Sequence, residues 1–394
     1  MSFSNFDLKL ITHILKKIIA ISLTPIILIM RLLKPIVHFR IGYFSSDRIG
    51  HFAYDLGLAL AEKSLSTDGN YCDLRYLQGP TCNTQLEIMA KRSFYIFPWV
   101  KYLFHANMIV GLIDELIPYR RINGSRDTNG LLELTNKRME FSEKEKKAAI
   151  LDMNKFGWNK GEKFVCINVR DGEFFSESSS SKHSYRNTNI DDYNFAITEL
   201  VKQGFWVFRT GKKMQQPLTI KHDRVVDYAF SSKRSDLLDI WLFSNCHFCI
   251  STGVGIDAVA DIYRRPIVYV NYSPIGLMVT WSHSITSPKK MVWSKTGVML
   301  KLSECLDNNY TSSVQYENAG IKFINLTPEE ILMSIKEMNR ELSVGFHKNN
   351  KINTMQIDFW KTYRNWNGFS KYHGFIHSGA HISNHYLNNN PKYL

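Results

Sequence analysis

The second half of the chain alternates between short apolar runs and longer segments with helical periodicity. Apolar runs that are too short for helices lie at 164–169, 205–209, 224–229 and 247–250. Segments whose apolar residues recur three and four positions apart lie at 191–203, 235–244 and 256–263. Strands that alternate with helices in this way indicate a doubly wound parallel sheet, in which ligands bind at the carboxyl ends of the strands.

The first half of the chain contains a second unit of the same kind. Apolar runs at 39–44 and 71–79 are typical of strands, and a glycine-bearing loop and a helical pattern at 52–63 lie between them. The pattern is then mostly helical up to a polar, glycine-bearing stretch at 158–163, which indicates a domain boundary.

We therefore expect an α/β fold with two Rossmann-like domains built on parallel sheets. The first domain is expected to cover residues 39–157 and the second residues 158–345. The remaining tail, residues 346–394, is expected to pack back on the first domain. At 394 residues the chain is long enough to give each domain a hydrophobic core.

Residues 1–38 differ from the rest because they contain an apolar stretch flanked by positive charges. The stretch at 18–30 has thirteen residues, fewer than the ~20 that a spanning helix needs. Lys16 and Lys17 before it and Arg31 and Lys34 after it suit the phosphates of a membrane surface. We expect a membrane-associated helix that lies on the bilayer, and a spanning helix with Arg31 near its end stays the alternative.

The charge of the chain favours an anionic partner. Its 49 lysines and arginines against 36 acidic residues give a formal net charge of +13. Nucleotide phosphates and an anionic membrane surface are partners of this kind. Nucleic acid is not expected, because the sequence has neither a basic helix interleaved with aromatic residues nor zinc-finger spacing.

The cysteines and histidines do not predict a metal site. The six cysteines are scattered, and the CxxC pair Cys246 and Cys249 lies on a predicted strand, as buried, reduced thiols do. Four histidines of the tail are spaced four apart, at 373, 377, 381 and 385. Neither a carboxylate nor a cysteine accompanies them in this spacing, so a packed tail is favoured over a metal site.

Polar and basic residues follow the predicted strands of the second domain. Arg170 and Asp171 come after the strand at 164–169, and Arg209 and Gly211 lie at the end of the next one. Because the carboxyl ends of parallel strands meet at one edge of a sheet, we expect an anion-binding site there. The further candidates near this edge are Tyr185, Arg186, Asp227 and Tyr228.

A glycine turn follows the last of these strands. Its residues are Ser251, Thr252, Gly253, Val254 and Gly255, and a helical pattern comes directly after it. Glycine lets bare backbone N–H groups approach a ligand, and the positive end of the helix would point at the turn. The turn is therefore expected to bind a phosphate. A turn formed for packing alone is the alternative.

The loop before the first predicted helix supplies the candidates of the first domain. Arg48, Gly50 and His51 lie in this loop, and His51 stands where the helix starts. A histidine in this position is a candidate for proton transfer, and a capping or structural contact is the alternative.

Several short motifs, in order along the chain, resemble a known group of enzymes. They are RIGH at 48–51, VCINVRDGE at 165–173, YRN at 185–187, FRTG at 208–211, VDYAFSSKR at 226–234, DLLDI at 236–240 and STGVGID at 251–257. They look like the glycosyltransferases of bacterial surface-polysaccharide clusters, which are similar in layout to heptosyltransferases and protein O-fucosyltransferases. The resemblance covers residues 39–340.

This resemblance implies a GT-B architecture, in which two Rossmann-like domains face each other across a cleft and the second holds a nucleotide-sugar without a metal or other cofactor. It implies that Arg170 and the glycine turn bind the donor diphosphate and that the loop at 48–51 faces the transferred sugar. His51 or Asp55 would then be the catalytic base, and Asp171 or Glu173 would serve if the base comes from the second domain. O-fucosyltransferases carry two arginines where this chain has Arg170 alone, which argues against a GDP-fucose donor.

The function expected from these features is transfer of a sugar from a nucleotide-sugar to a glycan or lipid-linked acceptor in bacterial surface polysaccharide biosynthesis. The enzyme would work at the cytoplasmic face of the inner membrane, attached through residues 1–38. A catalytically silent subunit that binds a nucleotide or a glycan is the alternative. An oxidoreductase is disfavoured, because no GxGxxG with a downstream acidic residue follows the first strand.

Overall fold

The computed structural model describes residue 14 and residues 17–66, 70–111, 125–173, 181–344 and 354–394. The chain divides into two compact units, Met1–Arg120 and Arg121–Leu394. Each unit contains a parallel sheet. The α/β class predicted from the alternating pattern is therefore confirmed.

The first unit is a small parallel sheet with helices packed on it. Its strands are β1 (His38–Ser45), β2 (Tyr71–Gln78) and β3 (Tyr95–Ile96). They pair in this order, each parallel to the next. The helices are α1 (Thr24–Leu32), α2 (Ile49–Leu65), α3 (Thr84–Ser93) and α4 (Val100–Val110).

Helix α2 is buried on nearly every side. Residues 52–61 are all buried, and a helix that is apolar all round belongs in the interior. The helix begins at Ile49, a few residues before the predicted start at 52. His51 consequently lies inside its first turn and not in a loop ahead of it.

The predicted membrane segment is described from residue 17 onward, together with residue 14, and the rest of it lies outside the described residues. Residues 17–22 are helical and are followed by α1, which has a proline in its first turn. In the described part of the chain, none of the helices combines the length and the apolar content that crossing a bilayer requires.

The second unit is built on a larger sheet. Its strands are β4 (Phe164–Asn168), β5 (Trp206–Arg209), β6 (Val225–Asp227), β7 (Cys249–Ser251), β8 (Ile267–Tyr272), β9 (Ser284–Pro288), β10 (Lys290–Trp293), β11 (Ile321–Ile324) and β12 (Ala380–Ile382). Seven of them form one sheet in the order β12-β9-β8-β7-β4-β5-β6, and all of its neighbouring pairs are parallel. Strands β10 and β11 form a separate antiparallel pair.

The α-helices of the second unit connect and cover these strands. They are α5 (Leu131–Leu134), α6 (Glu143–Asn154), α7 (Asn194–Lys202), α8 (Asp236–Asn245), α9 (Asp257–Ile262), α10 (Leu302–Asp307), α11 (Ser313–Asn318), α12 (Pro328–Val344), α13 (Thr354–Asn365), α14 (Phe369–Tyr372) and α15 (Asn384–Asn389). Helix α7 connects β4 to β5, α8 connects β6 to β7 and α9 connects β7 to β8, which are the crossovers that parallel strands need.

The centre of the large sheet is formed by β4, β7 and β8, in which every residue is buried. Burial on both faces explains why the sequence shows continuous apolar runs there and no polar alternation. Cys166, Cys246 and Cys249 lie in this core as free thiols, and burial raises the pKa of Cys166. The interpretation of these cysteines as buried, reduced residues agrees with the structure.

The division of the chain differs from the predicted boundary at 157/158. Residues 125–157 belong to the second unit, in which the ring of Phe141 packs against Trp241 and Tyr263. The polar stretch at 158–163 is therefore a loop that leads into β4 within one unit.

The tail also lies elsewhere than predicted. Its described residues, 354–394, belong to the second unit, where β12 pairs in parallel with β9 and forms an edge of the large sheet. The prediction that the tail packs back on the first domain is thus corrected. Without β12, strand β9 would be at the edge of the sheet and would have unpaired backbone groups. Strand β12, from the end of the chain, pairs with these groups.

Candidate functional site

The carboxyl ends of β4 and β7 bring two of the predicted motifs together. The strands pair in parallel, with Asn168 opposite Ser251. Just beyond β4, the backbone N–H of Arg170 donates a hydrogen bond to Thr252 Oγ1 at 3.0 Å. Arg170 and the glycine turn therefore lie at the same edge of the sheet, as the sequence suggests.

The glycine turn is closed by the hydroxyl of its first residue. Ser251 Oγ accepts hydrogen bonds from the N–H groups of Gly253 and Val254, at 3.0 and 3.3 Å. These two amides are therefore not bare, which corrects the expectation from the sequence. Among the described residues, the N–H groups of Gly255 and Ile256 have no hydrogen-bond acceptor, and Gly255 is exposed. The turn thus has its available amides at its far end.

Gly253 is required at its position for two reasons. Its φ of +78° lies in the left-handed region, and a Cβ atom there would be 2.6 Å from the ring of Tyr272. The following helix, α9, spans the six residues Asp257–Ile262, against the eight of the predicted segment. Because so short a helix contributes little dipole, most of the positive charge at this edge must come from side chains.

The carboxyl group of Asp257 lies behind the turn. Ser251 Oγ donates to Asp257 Oδ2 at 2.7 Å. Burial, reinforced by the charge of Asp261, raises the pKa of Asp257 to about 7. The carboxyl group is consequently only partly ionised at neutral pH, which reduces the negative charge next to the turn.

Three basic side chains converge at this edge, and we call Arg170, Arg186 and Lys289 the cation cluster. Arg186 donates from Nη2 to the carbonyl oxygen of Gly253. Asn187 holds the other two, because its Oδ1 accepts from Arg170 Nε at 3.2 Å and its carbonyl oxygen accepts from Lys289 Nζ at 2.5 Å. The YRN motif at 185–187 thus organises the cation cluster.

Like charges act on one another within the cation cluster. Burial, followed by the charge of Arg186, lowers the pKa of Arg170 to about 10. Burial and the charges of both arginines lower the pKa of Lys289 to about 8. Within the described residues, Arg186 and Lys289 form hydrogen bonds with backbone carbonyls and no ion pair with a carboxylate. An anion between them would relieve the repulsion, so this edge favours a phosphate or a similar group.

Tyr185 contributes to the site through packing. Its ring lies 5.0 Å from the ring of Tyr316 and 5.3 Å from that of Phe323, measured between centroids. Its N–H donates to Ser313 Oγ at 3.3 Å, and burial raises the pKa of its hydroxyl. Tyr185 therefore fixes the 3₁₀ turn Ser181–Arg186, which carries Arg186.

Three predicted ligand residues instead hold the β5–β6 side of the sheet together. Arg209 is fully buried, and its Nη1 donates to Asp227 Oδ1 at 3.1 Å. The hydroxyl of Tyr228 donates to the Ser235 carbonyl at 3.2 Å and accepts from the Ser235 N–H at 3.0 Å. These side chains are not part of the cation cluster, and their contacts are those of a structural core.

Gly211 and Asp171 also have structural surroundings. A Cβ atom on Gly211 would collide with the side chain of Met214. The Asp171 carboxylate accepts from the N–H groups of Gln215 at 2.6 Å and Glu173 at 3.1 Å. Asp171 therefore joins the loops that follow β4 and β5.

The candidates of the first unit lie at the start of α2. Asp55 is buried and its Oδ2 accepts from the N–H of Ser45, at the end of β1, at 3.0 Å. Arg48 directly precedes the helix, with a side chain that is 73% exposed and 3.9 Å from the Asp47 carboxylate. Gly50 and His51 lie in the first turn, and both are half-buried.

Lys289 is the residue of the site that the sequence analysis missed. It directly follows β9, and its N–H donates to the carbonyl of Tyr272 at 3.1 Å. Strand β9 has the sequence SITSP, whose hydroxyl side chains do not form an apolar run. The only indication of this part of the site in the sequence is the pair Lys289–Lys290, which follows this hydroxyl-rich segment.

No protein-family model matches the sequence, and no curated protein matches it either. Similar solved structures include a family 9 glycosyltransferase of Veillonella parvula, which is 11% identical, with a TM-score of 0.43, over 64% of this chain and 86% of its own. E. coli ADP-heptose lps heptosyltransferase II is 12% identical, with a TM-score of 0.42, over 78% of this chain and 99% of its own.

An iron-containing dodecameric glycosyltransferase of enterotoxigenic E. coli is also similar, at 10% identity and a TM-score of 0.37, over 78% of this chain and 79% of its own. All three are glycosyltransferases by name, in agreement with the resemblance found in the sequence. With TM-scores below 0.5, these similarities carry no function over to this chain.

Replacing Lys289 with methionine is expected to stabilise the ligand-free protein at pH 7. The lysine is then charged and buried beside two arginines, and lowering its pKa from 10.5 to about 8 sets an upper limit of roughly 3 kcal/mol on its cost. Because the hydrogen bond to Asn187 is also lost, we expect a gain of about 1–2 kcal/mol. Urea titrations of Lys289→Met and the wild type measure this difference.

The pH dependence of the stability difference between Lys289→Met and the wild type provides an internal control. The unfolded chain keeps its lysine proton up to a pKa near 10.5, whereas the folded protein loses it near 8, so wild-type stability rises relative to Lys289→Met between these values. Lys290→Met is the matched variant, because Lys290 pairs with Glu330 at 2.5 Å, and it should not be stabilised. A Lys289→Met protein that is no more stable than the wild type at pH 7 would contradict this account of the site.

Proposed function

We propose that this protein is a glycosyltransferase that binds the diphosphate of a nucleotide-sugar donor at the cation cluster. The observation that supports this proposal is the meeting of three buried or half-buried cations with a glycine turn at the carboxyl edge of a parallel sheet. Doubly wound folds bind their ligands at this edge. A diphosphate would place negative charge between these cations.

The same groups suit the chemistry of sugar transfer. When the bond between the sugar and the diphosphate breaks, negative charge develops on the departing nucleoside diphosphate. Fixed cations and N–H groups stabilise that charge in the transition state. Arg170, Arg186 and Lys289 would supply the cations, and the exposed end of the turn at Gly255 would supply an amide. A bound anion also raises the pKa of Lys289, which keeps this lysine protonated.

The acceptor hydroxyl needs a base to take its proton, and we assign this role to His51. Asp55 is the weaker candidate, because its carboxylate is buried and accepts the Ser45 N–H. Asp171 is weaker as well, because its carboxylate oxygens accept from two loop amides. The acceptor that we propose is a glycan or a lipid-linked sugar of a bacterial surface polysaccharide.

Arg186→Gln is expected to weaken nucleotide-sugar binding by about 10- to 100-fold, because it removes one charge-assisted contact with the diphosphate. Thermal-shift screening of the wild type against UDP-, GDP-, ADP- and CMP-sugars identifies the donor. Calorimetry with that donor then gives the dissociation constants.

The matched control for Arg186 is Arg224→Gln. Arg224 pairs with Glu162 at 3.1 Å, and its backbone directly precedes β6, at the opposite end of the strands. This variant should bind the donor like the wild type. Equal affinity of Arg186→Gln and the wild type would remove Arg186 from the site, and a wild type that binds none of the nucleotide-sugars would refute the proposed donor.

His51→Ala is expected to abolish turnover without changing the dissociation constant of the donor, because the base acts on the acceptor and not on the diphosphate. The assay is slow hydrolysis of the nucleotide-sugar, with water as the acceptor. His222→Ala, which changes an exposed histidine of the second unit, is the control and should keep full activity. Full activity of His51→Ala would exclude the histidine as the base. A wild type that binds the donor but never hydrolyses it would favour the silent binding subunit.

The described part of the N-terminal segment is packed on one side and exposed on the other. Its inner side is packed, because Ala20 and Ile27 join the core of the first unit. Its outer side exposes large apolar residues, which with two from α4 we call the apolar face: Ile18, Ile21, Ile26, Leu28, Ile29, Leu32, Ile36, Met108 and Ile109. Lys17 and Lys34 are exposed near its two ends.

We propose that this apolar face lies on an anionic lipid surface. Isolated apolar residues are common on protein surfaces, but a set of this size on one segment and a neighbouring helix is typical of an interaction site. Flanking lysines complement lipid phosphates, which favours a membrane over a neutral protein partner. This position would bring the enzyme to lipid-linked acceptors at the cytoplasmic face of the inner membrane.

Replacing Ile29 and Leu32 together with glutamate is expected to reduce vesicle binding at least roughly tenfold, because two apolar side chains no longer enter the lipid. Co-sedimentation with phosphatidylcholine vesicles, with and without phosphatidylglycerol, measures the binding. Leu151→Glu changes a leucine that is 62% exposed on the second unit and should have no effect. Equal binding by the double variant and the wild type, or no binding of the wild type to either vesicle, would contradict the proposal.

A further inference from the structure

A second cluster of polar side chains lies at the opposite end of the large sheet from the cation cluster. Glu337 and Glu341 stand one turn apart on α12, and His381 lies on the edge strand β12. His283 directly precedes β9, the neighbour of β12. We call these four residues the His–Glu cluster. These residues come from three separate parts of the chain. The spacing of the tail histidines alone therefore could not predict the His–Glu cluster.

The donor atoms of the His–Glu cluster are close together. His381 Nε2 lies 3.1 Å from Glu341 Oε1 and 3.5 Å from Glu337 Oε1, and His283 Nε2 lies 3.6 Å from Glu341 Oε2. One donor atom each from Glu337, Glu341 and His381 falls within 4.8 Å of the others. In a tetrahedral site with metal–ligand distances of about 2.0–2.2 Å, neighbouring donors are roughly 3.3–3.6 Å apart. The distances from His381 Nε2 to the two carboxylates, and from His283 Nε2 to Glu341, are close to this value.

Outer contacts orient two of the ligands, His381 on the edge strand and Glu337 on α12. His381 Nδ1 lies 3.3 Å from the Gly379 carbonyl, to which it can donate, and this leaves Nε2 facing the carboxylates. Glu337 accepts from Ser383 Oγ at 2.8 Å and from the N–H of Asn384. Metal-bound histidines and carboxylates are commonly held by partners of this kind.

His283 is held by a different set of contacts. Its ring stacks on that of His377, with centroids 6.0 Å apart and an interplanar angle of 10°. A Cβ atom on Gly379 would lie 2.7 Å from the His283 ring, so glycine at this position permits the approach. The side chain of His283 is 24% exposed, which gives the otherwise enclosed cluster a route to solvent.

We propose that the His–Glu cluster binds one divalent transition-metal ion through Nε2 of His283 and His381 and the carboxylates of Glu337 and Glu341. Glu337 and Glu341 supply negative charge one turn apart on α12, and a divalent cation would bind there in place of a proton on His381. A mixed set of imidazole and carboxylate ligands suits zinc and similar first-row metals. The ion would join α12, β12 and the start of β9, and so fasten the tail to the second unit.

The test uses the full-length protein, stripped with a chelator and then titrated with Zn²⁺. We expect one tightly bound zinc ion per chain by calorimetry and elemental analysis, and a rise in the melting temperature on binding. Glu341→Gln and His381→Ala should each reduce zinc affinity at least roughly 100-fold, since they remove a ligand and not only an outer contact. The matched controls Glu329→Gln, on the exposed side of α12, and His385→Ala should bind zinc like the wild type.

A readout on the unaltered protein covers variants that fail to fold. Co²⁺ added to the stripped wild type should give the visible absorption bands of a four- or five-coordinate site, and Zn²⁺ should remove them. His283→Ala, which changes the most exposed ligand, should weaken these bands. The proposal would be overturned if the wild type bound no stoichiometric zinc, or if Glu341→Gln and His381→Ala bound zinc as tightly as the wild type. The cluster would then be a metal-free ion-pair network.

Discussion

The parallel pairing of β4 with β7 is the constraint on which the candidate site depends. It sets Asn168 opposite Ser251, so the segments that leave the two strands must run side by side. The N–H of Arg170 then donates a hydrogen bond to the hydroxyl of Thr252, and the YRN segment returns over the same edge to bring Arg186 onto the glycine turn. Asn187 connects this arrangement to Lys289 from β9. The three basic side chains therefore lie together, because the segments that carry them all lie at this edge of the sheet.

Much of this arrangement could be predicted from the sequence. Fully buried strands produce continuous apolar runs, and those of β4, β5 and β7 stand out between helical patterns. Gly253 has a positive φ, and the absence of a Cβ atom makes room for the ring of Tyr272. The sequence indicates this position because Gly253 belongs to a glycine turn. The alternation of the elements then predicts that Arg170 and this turn share an edge.

Other features depend on contacts that no local pattern shows. Arg209 stands at a strand end, like Arg170, but it is opposite Ile167 in the sheet and so lies inside the core, where it pairs with Asp227. Lys289 follows a strand rich in hydroxyl residues, and its depressed pKa arises from burial and from arginines about a hundred residues away in the sequence.

The contacts of the tail could not be predicted from a local sequence pattern either. Its histidines are regularly spaced, yet His381 meets its carboxylates only because β12 forms an edge of the large sheet beside α12. The boundary between the units was misplaced for a similar reason, since Phe141 belongs to the second unit through rings that lie a hundred or more residues later.

The central claim is that Arg186, Lys289 and the far end of the glycine turn hold the phosphates of a nucleotide. The most direct test is a crystal structure of the protein grown with the nucleoside diphosphate of the donor. The account predicts phosphate oxygens within hydrogen-bond distance of the Arg186 guanidinium, Lys289 Nζ and the N–H of Gly255. A nucleotide bound with its phosphates anywhere else on the protein, and none of them at these groups, would contradict it.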